Sequence, residues 1–324
     1  MDCSGEKMMR KMKTSALTAA VMALCMMAAG CTGNPSDQKA AHAAEQPVYN
    51  GASVSYLGPE GTYTEEAVRF FFPEDAQLNP RETVADAITD VVKGDADYAV
   101  IPQENTIGGA VVNYVDALIG EENVYVTGEV ILPISQTLMG IPGTKLEEIK
   151  TVCSHAQGIT QSKEWRNEHL PDAETQEMAS TAAAASYVAE TGDQTIAAIA
   201  APAAADLYGL EVLAENVQIT DTNKTRFYVL TASLPSGNTY HRAVFVADCE
   251  ANRIDDVIIG ISEAGLELVT IHDRPEGSYL GSYHYIIEAE NKNGDAITSE
   301  QIEKVRKIPE IRYLGSFDVI EKKN

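Results

Sequence analysis

Short β-type runs alternate with helical ones along most of this chain, and the turns between them are built from Gly, Pro, Ser, Thr and Asn. Ser53–Leu57 alternates as a strand, Gly58-Pro59-Glu60-Gly61 breaks it, and a helix is predicted over residues 64–72, with Thr62 and Glu65 at capping-box spacing. The same grammar returns as a strand over 98–102, a polar turn over 104–109 and a helix over 111–119. It returns again as a strand over 149–153, a loop over 154–158 and a helix over 160–169. Ser180-Thr181 opens an alanine-rich helix to about residue 190, and strands over 195–201 and 227–230 complete the set. Parallel strands need long crossovers, which helices supply, so this order predicts an α/β fold with a largely parallel sheet.

A Leu-Pro-Ser-Gly-Asn run at residues 234–238 marks a boundary. Beyond it the pattern reads strand (AVFVA), helix (255–264), strand (LELVTIH), strand (SYHYIIEAE), helix (299–307), strand (IRYLGSFDV). That βαββαβ order is the ferredoxin-like plan. The 324 residues therefore divide into a first domain over 53–232 and a second over 240–321.

The beginning of the chain is of another kind. Arg10, Lys11 and Lys13 precede an apolar run over residues 16–29 that is short for a membrane span and suits the core of a signal peptide. It ends in Ala28-Ala29-Gly30-Cys31, which resembles a lipobox with Ala28 in place of the usual leucine. Residues 1–30 are thus predicted to be cleaved, Cys31 to carry a lipid, and the polar, Ala-rich stretch over 31–52 to act as a tether. The protein is predicted to be exported and anchored at the membrane surface. Loss of residues 1–30 removes four basic and two acidic residues, taking the formal charge from -24 to -26. Such a chain has no broad basic surface for nucleic acid. Its five cysteines form no C-x-x-C pair, and no His cluster stands at metal-ligand spacing, so neither a disulfide framework nor a zinc site is indicated.

Four loops lead into helices: residues 58–62, 104–109, 154–158 and 179–181. Helix N-termini offer unsatisfied N–H donors and the positive end of the helix dipole, and Thr62, Asn105, Thr106, Ser154, Ser180 and Thr181 add neutral donors there. A small polyanion fits this chemistry, although each of these residues also reads as an ordinary cap. Asn223-Lys224-Thr225-Arg226-Phe227 puts a hydroxyl and a guanidinium at the mouth of one more strand.

Taken in order, Tyr56-Leu57-Gly58-Pro59-Glu60-Gly61-Thr62-Tyr63, Pro102-Gln103-Glu104-Asn105-Thr106, Ser154-His155-Ala156-Gln157, Ser180-Thr181-Ala182-Ala183 and Asn223-Lys224-Thr225-Arg226-Phe227 resemble the signatures of prephenate dehydratases. The resemblance implies two α/β lobes similar to type II solute-binding proteins, with the site in the cleft between them. It implies a reaction in which prephenate loses carbon dioxide and water to give phenylpyruvate, on the way to phenylalanine, without a cofactor. It assigns catalysis to Thr225, as a donor to the departing hydroxyl, and makes Glu104 the carboxyl candidate for proton supply. Thr62, Asn105, Thr106, Ser154, Gln161, Ser180, Thr181, Arg226 and Phe227 become substrate-site residues, with Arg226 paired to a substrate carboxylate or to an internal acid. Ala156 and Gln103 depart from the usual proline and apolar residue.

The second domain resembles the ACT module that binds phenylalanine in this family, with Leu314-Gly315-Ser316-Phe317 as its last strand. His272-Asp273-Arg274-Pro275 occupies the effector-site position where Glu-Ser-Arg-Pro is usual, and Asn252-Arg253-Ile254-Asp255 replaces a Gly-Ala-Leu turn. ACT modules imply a homodimer. A second possibility for the whole chain is a membrane-anchored binding protein on the same scaffold, capturing an aromatic or dicarboxylate solute without turnover.

Overall fold

The structure, a computed structural model, describes residues 49–234 and 240–323. The signal segment, Cys31, the tether up to residue 48 and the boundary residues 235–239 lie outside this range. The folded body starts at Tyr49, ahead of the predicted end of the tether at residue 52, because the Tyr49 ring packs edge-on against Phe71 and Phe72 at 5.1 and 5.3 Å.

The first lobe contains β1 (Ser53–Leu57), α1 (Tyr63–Phe71), β2 (Gln77–Arg81), α2 (Val84–Lys93), β3 (Tyr98–Asn105), β4 (Gly109–Ala110), α3 (Val112–Gly120) and β5 (Tyr125–Pro133). Local chemistry sets these bounds. In α2, Thr83 accepts from the Asp86 N–H at 3.1 Å, Gly94 ends the helix with φ 79°, and Val84, Ala87, Ile88 and Val91 form its buried stripe. In α1, Thr62 accepts from the Glu65 N–H as the spacing predicts, while the Glu65 carboxylate reaches back to the Gly61 N–H.

After β5 the chain crosses to a second lobe: β6 (Thr137–Gly140), β7 (Thr151–Ser154), α4 (Ala156–Gln161), α5 (Lys163–His169), β8 (Glu174–Glu177), α6 (Thr181–Thr191), β9 (Ile196–Ala200), α7 (Ala203–Tyr208) and β10 (Glu211–Ala214). It returns through β11 (Lys224–Thr231), which enters the first sheet between β5 and β3. That return strand runs antiparallel to both neighbours, and β6 and β10 pair antiparallel in the second sheet, so both sheets are mixed rather than largely parallel. The predicted 154–158 loop is shorter than expected, because His155 caps α4 and residues 156–158 already lie in its first turn.

The remaining elements are β12 (Arg242–Glu250), α8 (Ile254–Glu263), β13 (Leu266–Pro275), β14 (Ser282–Asn291), α9 (Ser299–Val305), β15 (Ile311–Phe317) and β16 (Val319–Glu321). The sheet order β13-β14-β12-β15 is that of the ferredoxin-like plan. β16 leaves this sheet and pairs with β5, so the tail of the chain extends the first lobe instead. Strand alternation gives the four-stranded sheet two buried faces. Ala243, Phe245 and Ala247 point to α8 and α9, while Val244, Val246, Ile286, Leu314 and Phe317 join the core built by α2, α3 and the first sheet. Each fully buried side chain of that kind contributes about 1.5–3 kcal/mol. The backbones come so close that a side chain at Gly315 would collide with the Val126 carbonyl oxygen.

Candidate active site

A cavity of about 250 Å³ opens where the starts of α1, α4 and α6 meet the end of β3 and the start of β11. Open α/β sheets bind ligands at such positions, beyond the strand ends where connections diverge. The β3–β11 register sets Thr225 opposite Asn105 and Arg226 opposite Glu104. Successive strand side chains point to opposite faces, so Thr225, Phe227 and Asn105 line the cavity while Arg226 and Glu104 project the other way.

Asn105 organises the cavity wall. Its Oδ1 accepts from the N–H groups of Ile107 (3.0 Å) and Gly108 (2.8 Å) and from Gln157 Nε2 (3.0 Å). Its Nδ2 donates to Asn223 Oδ1 at 2.7 Å and to Thr225 Oγ1 at 2.9 Å. Because Thr225 Oγ1 is the acceptor in that bond, its own proton is left to donate into the cavity. The Asn105–Gln157 bond also spans the cleft, tying the first lobe to the second.

The remaining wall supplies neutral donors. Thr62 and Ser180 cap α1 and α6, and Ser180 Oγ accepts from the Ala183 N–H at 2.9 Å. Thr181, at the first position of α6, has a backbone N–H without an acceptor in its own helix, and the residue lines the cavity. No Lys or Arg lines the cavity among the described residues. An anionic group there would meet N–H and O–H donors, helix N-termini and the His155 ring rather than a Lys or Arg side chain.

The family described as prephenate dehydratase matches residues 54–234. This chain belongs to the prephenate dehydratase family. It is 32% identical to a bifunctional chorismate mutase/prephenate dehydratase of Neisseria gonorrhoeae, across 85% of this chain and 75% of that protein. It is also 32% identical to a prephenate dehydratase of Amycolatopsis methanolica, across 82% of this chain and 88% of that one. The crystal structure of the Arthrobacter aurescens prephenate dehydratase in complex with L-Phe superposes with a TM-score of 0.73 at 31% identity, covering 82% of this chain and 90% of that one.

Of the residues singled out for a prephenate dehydratase site, the structure brings Thr62, Asn105, Gln161, Ser180, Thr181, Thr225 and Phe227 to one cavity. Four others lie elsewhere. Ser154 is buried beneath α4, its Oγ donating to the Ile199 carbonyl at 2.7 Å, and it supports the wall at Gly158 rather than facing substrate. Thr106 Oγ1 accepts from the Lys224 N–H at 3.0 Å and donates to the Thr222 carbonyl at 3.3 Å, stitching two loops together. Of the two partners expected for Arg226, the structure gives internal acids. Its guanidinium contacts Glu129 Oε2 at 2.7 Å, Glu288 Oε2 at 2.6 Å and Glu104 Oε2 at 3.3 Å, so neither Arg226 nor Glu104 reaches the cavity.

That ionic cluster sits in the interface with the ferredoxin-like domain. Glu288, on β14, also takes Arg242 and the Tyr228 hydroxyl, and Gln103 lies against it. Burial acts against the Arg226 charge, but the hydrogen bonds and charges of Glu129 and Glu288 outweigh it and hold the guanidinium above its ordinary range. Burial, with the charge of Arg226, lowers the His272 imidazole below its ordinary value, against the pull of Glu104. The His272-Asp273-Arg274-Pro275 segment meets α3. His272 bonds the Tyr114 hydroxyl, Arg274 pairs with Asp116 at 2.5 and 3.0 Å, and Asp273 helps line a cavity of about 150 Å³ there, while Pro275 is exposed.

Sequence reasoning missed Gln136, Asn223 and Gln157 as members of the site. Gln136 follows β5 in the crossover to β6, a polar residue between two apolar runs, and only its fully buried setting marks it out.

Proposed function

We propose that this chain converts prephenate to phenylpyruvate. The carbon–carbon bond to the ring carboxylate breaks, its electrons aromatise the ring, and the para hydroxyl departs; one proton is taken up and carbon dioxide and water are released. The observation that carries this reading is the Thr225 hydroxyl, held as an acceptor by Asn105 so that its proton is aimed into the cavity. A threonine hydroxyl is a weak acid, so Thr225 stabilises the departing oxygen by hydrogen bonding, and a solvent proton completes the water. The α1 and α6 starts hold the carboxylates, and Phe227 and Ile134 give the ring an apolar wall that favours loss of the less hydrated carbon dioxide. Incubating the purified full-length protein with prephenate tests this. Phenylpyruvate formation that Thr225→Ala abolishes supports it, and tight prephenate binding without turnover would favour a solute-binding protein instead.

The same reading extends outward. The ferredoxin-like domain serves as an ACT module with phenylalanine as effector near residues 272–275, in a homodimer. Inhibition by phenylalanine and the mass in solution test these points. A lipid on Cys31 anchors the exported protein, a prediction checked by palmitate labelling that Cys31→Ser removes.

A further inference from the structure

After β15 the chain turns at Asp318 and adds β16 to the first sheet as its outermost strand, beside β5. Asp318 is a joint. Its carbonyl accepts from the Glu129 N–H at 3.4 Å, and its Oδ1 accepts from the His241 N–H at 3.1 Å, so the entry and exit of the ferredoxin-like domain are tied where β16 begins. The Lys322 N–H fastens the far end to the Ile131 carbonyl at 3.0 Å. Val319 packs on the core shared with the ferredoxin-like sheet, and Ile320 on the core that holds Tyr56, Val68 and Phe227. Apolar burial, more than the pairing of so short a strand, keeps this segment in place.

Two side chains at its end grip elements that build the cavity. Lys322 Nζ pairs at 2.8 Å with Glu66 in the first turn of α1, the helix that Thr62 caps on the cavity wall. Glu321 pairs with Lys224, which reaches over β5 from the start of β11. The Lys224 backbone in turn holds the end of β3. Its N–H donates to Thr106 Oγ1 at 3.0 Å, and its carbonyl accepts from the Thr106 N–H at 2.9 Å and from Asn105 Nδ2 at 3.2 Å. The same Asn105 Nδ2 fixes the oxygen of Thr225, the residue after Lys224. A displacement at Lys224 therefore reaches the Thr225 hydroxyl both along the chain and through Asn105.

The Lys224 and Glu321 side chains are 41% and 45% exposed, and ion pairs at such exposure add little to folding stability. Geometry is another matter, because a reacting group misplaced by about 1 Å costs turnover up to about a hundredfold.

We infer that Val319–Lys322 is a strap by which the ferredoxin-like domain holds the start of β11 against the end of β3, with Glu321 as a positioning residue that acts through Lys224 on Thr225. Its effect on turnover rests on the dehydratase reading; its hold on the strand does not.

The test compares three full-length proteins: wild type, Glu321→Lys, and Glu321→Lys combined with Lys224→Glu, which restores the pair with its charges exchanged. Amide hydrogen exchange over residues 104–106 and 224–226 is read beside kcat and KM for prephenate and a melting curve. In the single variant exchange quickens about threefold or more. Its kcat falls about tenfold while KM stays within about twofold, because the helix starts that hold the carboxylates are untouched. Its Tm stays within about 2 °C of wild type, and the exchanged pair restores both exchange and kcat. Unchanged exchange or an unchanged kcat in the single variant overturns the inference. So does a loss that comes with a lower Tm and is not restored by the exchanged pair, since that is a merely structural role. If the wild type releases no phenylpyruvate, the dehydratase reading fails, and amide exchange alone upholds or overturns the strap.

Discussion

Asn105 and Thr225 face each other across the antiparallel β3–β11 pair, and the 2.9 Å bond between them runs from the asparagine amide to the threonine oxygen. The direction of that bond decides where the threonine proton can go. Thr225→Val keeps the shape and removes the donor, and should lower kcat by about 10²–10³, the usual loss for one donor aimed at developing charge. Thr225→Ser keeps the donor and should stay within about tenfold. Steady-state kinetics beside a melting curve measure both, and equal losses in the two variants would contradict the role.

Asn105→Asp makes the complementary test. The new carboxylate has no proton to offer, so the Thr225 hydroxyl turns to donate to it and no longer donates into the cavity. It also meets Asn223 Oδ1 acceptor to acceptor, where the native amide donates at 2.7 Å. The expected outcome is a kcat loss comparable to that of Thr225→Val, with a stability cost of about 1–3 kcal/mol for the broken buried network. Urea unfolding and kcat together distinguish this from simple misfolding, because the folded fraction should still be slow.

The motif residues carried much of this geometry in their spacing, but a motif lists neighbours and a strand separates them. Thr225 and Arg226 are adjacent in sequence, as are Asn105 and Glu104, and period-two alternation sends one of each pair to the cavity and the other to the opposite face. Reading 227–230 as the strand, rather than Lys224–Thr231, hid that consequence. The β2 strand, Gln77-Leu78-Asn79-Pro80-Arg81, has only Leu78 as a strand-type apolar residue and carries a proline, which argues against a strand. Gln136 carries no local signal at all, since its place comes from bonds to residues 25 and 82 positions away.

Arg226→Met should act on stability more than on chemistry. The guanidinium pairs with Glu129 and Glu288, which have no exposed surface, and its removal strands Glu129 while Glu288 keeps Arg242 and the Tyr228 hydroxyl. Breaking one side of a buried ion pair costs roughly 3–5 kcal/mol. For a chain of this size that lowers Tm by roughly 10 °C. Calorimetry reads the loss; the folded fraction, assayed well below Tm, should keep kcat within about tenfold if Arg226 never touches substrate.

Substrate encounter should be slow and salt-dependent. The formal charge of -24 repels an anion, and no cavity Lys or Arg opposes that field among the described residues. Screening shortens from about 30 Å at 0.01 M salt to about 8 Å at 0.15 M, so kcat/KM for prephenate should rise severalfold over that range. A flat profile would mean that encounter is not limited by the overall field.

Glu129 supplies the pH dependence of stability. Burial raises its carboxyl from the ordinary 4.5 to about 7, with the Glu288 charge adding to the shift and the hydrogen bonds to Arg226 opposing it. In the unfolded chain the same group releases its proton near its ordinary value, so between the two values the folded state holds a proton that the unfolded state lacks. Stability from this group therefore grows as pH falls from about 8 to about 5, then levels off once both states are protonated. A chain this acidic also gains from general charge loss on acidification, so the informative quantity is the difference between wild type and Glu129→Gln. Tm measured across that range should climb more steeply for wild type, because the glutamine variant is neutral throughout. Parallel curves would show that Glu129 stays ionised in the folded protein at neutral pH, held so by Arg226 despite its burial.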